Sequence, residues 1–214
     1  MIWMSSSLQN VLILLLVLLF SMSIHELMHA LTSNWLGDDT ARLQGRISLN
    51  PLRHIDPLLT VAIPLFLLVS GSPFLFGAAK PVQVNFNRLH YGEWGGALVG
   101  MIGPITNLAI ASIAGLLFSA FNPQFGTVIY EVFALTISLN VGLFVFNSIP
   151  WPPLDGSRLL YALVPQPIKE FMESIEHSGL MSLAIFILLF YQFGGPIQSL
   201  MGKLVHTLAP GLVL

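Results

Sequence analysis

Apolar positions along the chain gather into five long blocks. The first runs from about Leu8 to Leu36, and its middle, "NVLILLLVLLFSM", is almost pure hydrocarbon. The second runs from Pro57 to Phe76, interrupted by Pro64 and by Gly71-Ser72-Pro73. The third, from about Gly95 to Phe121, and the fourth, from about Val128 to Ile149, reach the ~20 residues that cross a hydrocarbon core as a helix. The fifth, Leu180 to Phe193, is short for a span, and Pro196 to Leu208 reads as an amphipathic piece on the membrane surface or packed on the bundle. Polar connectors separate the blocks. "GRISLNP" (Gly45 to Pro51) reads as a short strand ending at its proline, and "GAAKPVQVNFNRL" (Gly77 to Leu89) as a second extended piece. "NPQFG" after the third block is a tight turn, and Pro150, Pro152 and Pro153 break the chain after the fourth. The pattern predicts an all-α polytopic membrane protein: a bundle of about four to five transmembrane helices with a re-entrant segment and short membrane-associated strands. One membrane-embedded domain is expected over residues 1–214, with a core at 8–161 and C-terminal helices at 162–214.

Composition agrees. Only 8% of the 214 residues are charged and mean hydropathy is +0.80, whereas a soluble domain carries about 25% charged residues. The expected environment is the lipid bilayer of the cell membrane. A net charge of −2 offers nucleic acid nothing to bind, and leaves homo-oligomerisation open. With no cysteine, disulfides and thiolate metal ligands are excluded. The N-terminal apolar block lacks a basic leader and a small-residue cleavage site, so it reads as a retained span rather than a signal peptide.

The first charged residue is Glu26, inside "SIHELMHA" (Ser23 to Ala30). An ionisable side chain within a span costs at least ~2.5 kcal/mol on insertion scales, so this cluster needs a function. His25 and His29 stand one helical turn apart and can chelate one ion. Glu26 is placed to serve a metal-activated water as general base. This is the HExxH arrangement of zinc hydrolases. The alternative is a polar face packed against neighbouring helices.

Catalytic zinc takes three protein ligands. Six residues past His29 stands Trp35, and "RISLN" some twenty residues on carries no acid, so the spacings of soluble zinc proteases fail. Asp155, in "NSIPWPPLDGSR" (Asn147 to Arg158), is the best candidate, since proline-broken backbone at membrane depth is tolerated where it lines a wet cavity. A helix N-cap is the competing role for Asp155, and His54 and Asp56 in "RHIDP" are rival ligands. For Asp155 to reach the histidines, the first and fourth blocks must run parallel, so the second must enter and leave on one side. That topology puts Arg42, Arg46, Arg53, Lys80, Arg88, Arg158 and Lys169 on one face and, provided the fifth block crosses, Lys203 alone on the other. The positive-inside rule then makes the metal-bearing face cytoplasmic.

These residues resemble the site-2 protease family of intramembrane zinc metalloproteases, in its short prokaryotic type without PDZ or CBS domains. HELMHA fits the family's HExxH helix, "GPITN" (Gly103 to Asn107) its GxxxN-type motif, and "NSIPWPPLDG" (Asn147 to Gly156) its NxxPxxPLDG block. "GRISLNPLRHIDP" and "AKPVQVN" (Ala79 to Asn85) match as well, so the likeness covers roughly Leu8 to Tyr161. "KPVQVNF" departs from the frequent "KPVPVNP" at Gln83 and Phe86. The resemblance implies one zinc per chain on His25, His29 and Asp155, with Glu26 as general base. It implies that Asn147 lies near the metal as a donor to the oxyanion, against a rival role as a helix C-cap. Asn107 is expected to bond between helices, and Gly103 to let helices approach. The substrate implied is a transmembrane protein or peptide, cut in or next to its membrane segment. It must unwind first, and "RISLN" or "PVQVN" could dock it as an added strand. Gly92 to Gly100 and Pro57 to Gly77 are expected gate elements. A zinc transporter or a helix-binding scaffold would need no Glu26, and a transporter would show further polar stations along its path.

Overall fold

A computed structural model describes residues 8–54, 62, 65, 66, 69, 80–178 and 180–213. Its helices are α1 (Leu8–Trp35), α2 (Thr40–Leu43), α3 (Glu93–Phe121), α4 (Val128–Asn147), α5 (Gly156–Leu163), α6 (Gln166–His177) and α7 (Leu180–Leu208). Short 3₁₀ turns lie at Pro51–Arg53 and Phe86–Arg88. Among the described residues three helices are long and apolar enough to cross a membrane: α1 from Gln9, α3 and α4. The protein is therefore a helical membrane protein. The expected re-entrant stretch, 57–76, lies outside the described residues.

Local chemistry sets the helix ends. α1 stops at Gly37, whose φ of +104° suits glycine. There the Gly37 and Asp38 amides return to the carbonyls of Asn34 and Ser33, closing the helix with a Schellman motif. Asn122 ends α3 in the left-handed region. Six residues later α4 has begun, with Thr127 accepting from the Tyr130 amide as N-cap.

Two expectations change. No strand forms among the described residues. Asn50 instead folds "RISLN" into a turn by accepting from the Leu52 amide. In "PVQVN" the Val82 and Asn85 amides, which a ladder would have used, go to the carboxylates of Glu26 and Asp38. Leu180 to Phe193 and Pro196 to Leu208, read as separate pieces from sequence, also form one helix, since α7 runs through Pro196. Proline removes one amide donor, and continuing the helix keeps the other backbone groups bonded in apolar surroundings.

Helix directions follow from cross-chain bonds. α3 meets α1 at Asn107 with His25 and at Val99 with His29, so the two are antiparallel. Asn140 of α4 bonds Ser21, and Asp155, past the end of α4, reaches His25 and His29, so α1 and α4 are parallel. The His90 amide donates to the Leu36 carbonyl, and the Lys80 amide to the His54 carbonyl. The chain between Leu36 and His90 thus starts and finishes at one end of the bundle. At the opposite end, Phe118 of α3, Tyr130, Ile137 and Val141 of α4, and Val205 of α7 form an apolar core.

Candidate metal centre

His25 and His29 are both buried, and their Nε2 atoms are 3.0 Å apart. Asp155 occupies the N-cap position of α5 but makes no capping bond. Its Oδ2 lies 3.1 Å from His25 Nε2 and 3.5 Å from His29 Nε2. The rival cap role is therefore unused, and the carboxylate faces the imidazoles.

Proton positions on the histidines follow from their other partners. His29 Nδ1 lies 2.6 Å from the Val99 carbonyl, which can only accept, so Nδ1 carries the hydrogen and Nε2 presents a lone pair. His25 Nδ1 lies 2.6 Å from Asn107 Oδ1, which gives the same result. Two imidazole lone pairs and a carboxylate oxygen thus converge. Such acceptors repel one another unless a cation or a proton lies among them. The N, N, O donor set fits the three protein ligands of a catalytic zinc site.

Small residues of α3 make the room. A methyl on Gly103 would overlap His29 Nε2 and lie 2.7 Å from His25 Nε2, and one on Gly100 would lie 2.7 Å from the Asp155 carbonyl. With Gly96, which faces the Phe86 ring, these glycines form one helical stripe. All three lie within the helix α3, and the close contact at Gly103 matches the helix approach expected there.

Glu26 is buried, and its Oε2 accepts from the Val82 amide at 2.9 Å. Residues 80–92 thus form a strap beside the centre. The strap is pinned by Asn85 to Asp38, by Arg88 to Asp39 at 2.9 Å, and by Arg158 over the Phe86 ring. Asp38 is fully buried. Burial raises its carboxyl, but bonds from the Thr40 hydroxyl and from the Asn85 and Thr40 amides outweigh that and leave it low. Of the rival ligands, His54 is buried elsewhere, with Nε2 on the Ser48 carbonyl, and Asp56 lies outside the described residues. Asn147 closes α4, half-buried, and makes no hydrogen bond to His25, Glu26, His29 or Asp155.

Comparison with known proteins points to zinc enzymes. The chain is 38% identical over 184 residues to "Putative zinc metalloprotease YwhC" of Bacillus subtilis, covering 83% of this chain and 79% of the relative. The chain belongs to this zinc metalloprotease family. Identity to Rip2 of Mycobacterium tuberculosis H37Rv, also named a zinc metalloprotease, is 29%, over 80% of this chain and 64% of the relative. For MJ0611 of Methanocaldococcus jannaschii, named likewise, it is 31%, over 49% of this chain and 55% of the relative. No family model and no solved structure matched the chain.

For this zinc metalloprotease relative, sequence reasoning missed two contributors. One is Asn140, the amide beyond Asn107. The only available signal was an asparagine in the middle of an otherwise apolar helix. The other is the Val82 amide, which no side-chain pattern could announce.

Proposed function

We propose that this protein is an intramembrane zinc protease of the site-2 type, cutting a peptide bond in or next to a transmembrane segment of a membrane-protein substrate. The observation that carries the reading is the convergence of His25, His29 and Asp155 within 4.8 Å beside Glu26, on a helix long enough to span the bilayer. In this reading the three residues hold zinc. Bound zinc supplies Lewis acidity toward water and the scissile carbonyl. Glu26 takes the proton and passes it to the leaving amine. The Val82 amide holds one Glu26 oxygen and leaves the other for the proton. Asn147 donates to the developing oxyanion.

The strap supports a docking role for Pro81–Asn85. It passes the Glu26 carboxylate and borders a cavity of about 1000 Å³ lined by Gln83, Val84, Phe86, Gly96, Arg158 and Tyr161. An unwound substrate segment laid along it would enter from that side. The basic residues of the connectors make this the cytoplasmic face. The test is cleavage of a membrane-embedded substrate by wild type and Glu26→Gln, with zinc content measured in both. Loss of a general base lowers the rate by about 10²–10⁴-fold, with zinc retained. Equal cutting by both proteins refutes the reading.

A further inference from the structure

We propose that Asn140 is a positioning residue for the metal centre, directing the bare nitrogen of His25 through the amide of Asn107. The inference rests on the reading of His25 as a metal ligand. Asn107 and Asn140 are both fully buried at 0% exposure, so each amide is oriented by its protein partners alone. Asn140 Nδ2 lies 2.9 Å from the Thr136 carbonyl and 2.8 Å from Ser21 Oγ. A carbonyl only accepts, so the nitrogen of Asn140 must face it and the oxygen must face α3. There it accepts from Asn107 Nδ2 at 2.8 Å. That turns the Asn107 oxygen toward His25 Nδ1, 2.6 Å away. Nδ1 must then hold the hydrogen, and Nε2 points its lone pair at His29 and Asp155.

The relay matters because an asparagine amide can be reversed with little change in shape. If Asn107 reversed, its NH₂ would face His25 Nδ1 and force the hydrogen onto Nε2, where it would oppose a cation. His29 is exempt, since the Val99 carbonyl orients it directly. Only His25 depends on a side chain that could reverse, and Asn140 blocks the reversal by setting two carbonyl oxygens against each other. The fixed reference is a backbone group of α4, three hydrogen bonds from the imidazole.

The experiment measures zinc affinity by competition with a chelator, using the full chain in detergent. Wild type, Asn140→Leu, Ser21→Ala and the double variant Asn107→Asp/Asn140→Leu are compared. Loss of such an outer partner lowers metal affinity about 10- to 100-fold, and that is expected for Asn140→Leu. Ser21→Ala stays within about 3-fold of wild type, because Thr136 still orients the amide. The double variant recovers most of the loss, since a carboxylate at 107 accepts from Nδ1 in either orientation. Wild-type affinity in Asn140→Leu overturns the proposal. So does a loss that the double variant fails to recover, since that marks a packing role. Nitrogen-15 NMR of the wild-type imidazoles, with or without zinc, tests the proposal without any variant. A hydrogen on His25 Nδ1 supports it, and a bare Nδ1 overturns it. A wild type that binds no zinc refutes the proposed function instead, and the NMR result still decides this one.

Discussion

α3 meets very different neighbours in its two halves. From Gly96 to Asn107 it presents glycines and one amide, and its partners are imidazoles, a carboxylate loop and the strap. From Ala111 to Phe118 it presents alanines and an aromatic ring, and its partners are the apolar faces of α4 and α7. The Phe118 ring meets Tyr130 edge-on at 5.5 Å. One continuous helix therefore joins a dry anchor to a polar centre. The anchor is held by dispersion and shape, whereas each polar group of the centre needs a named partner. Mutations at the two ends should consequently fail in different ways: the centre loses metal, and the anchor loses stability.

The largest effect should come from Asp155→Ala. Zinc affinity falls by about 1,000-fold, roughly 4 kcal/mol at 1.4 kcal/mol per tenfold, while helix content by circular dichroism is unchanged, because Asp155 makes no cap bond. Unchanged zinc content removes Asp155 from the ligand set. Next comes Ile137→Ala in the anchor, fully buried in the wild type. Truncating a buried isoleucine costs about 2–5 kcal/mol, read as a lower midpoint of unfolding, with zinc affinity preserved. Zinc loss in proportion to stability would erase the distinction between the ends.

A smaller effect sharpens it. Gly103→Ala puts a methyl against both imidazoles and should cost about 30-fold in zinc affinity, near 2 kcal/mol. Gly115→Ala, whose methyl would overlap the Leu208 carbonyl, should lower stability and spare zinc. The smallest effect belongs to Asp38→Asn, which weakens the strap anchor by about 1 kcal/mol, read as faster amide exchange at Asn85. Its pH dependence has a defined sign. The folded carboxyl titrates below its ordinary value, so its stabilisation is complete above about pH 4 and lost as pH falls further. Exchange at Asn85 that accelerates between pH 7 and pH 5 would contradict this.

Much of the molecule was legible in the chain itself. α1, α3 and α4 follow the apolar blocks to within a few residues, because in a bilayer an apolar run of that length must satisfy its own backbone as a helix. The pairing of His25 with His29 was legible too, since residues one turn apart share a face whatever surrounds them. Even the parallel course of α1 and α4 could be argued from where Asp155 would have to be. "RISLN" and "PVQVN" misled because β-branched alternation records a preference for extended backbone and says nothing about which acceptor takes the amides. In "PVQVN" two of them went to carboxylates, and in "RISLN" the Asn50 amide went to the Ser48 hydroxyl.

Tertiary structure alone decided what happens between distant segments. His54 and Asp155 were both admissible from sequence, and packing put only Asp155 beside the imidazoles. The hydrogen on His25 depends on Asn107, 82 residues away, and Asn107 depends on Asn140, whose own contact with Ser21 spans 119 residues. Local sequence controls geometry within a helical turn through covalent connection. The direction of a buried amide or imidazole is controlled by whichever donor or acceptor the fold sets against it.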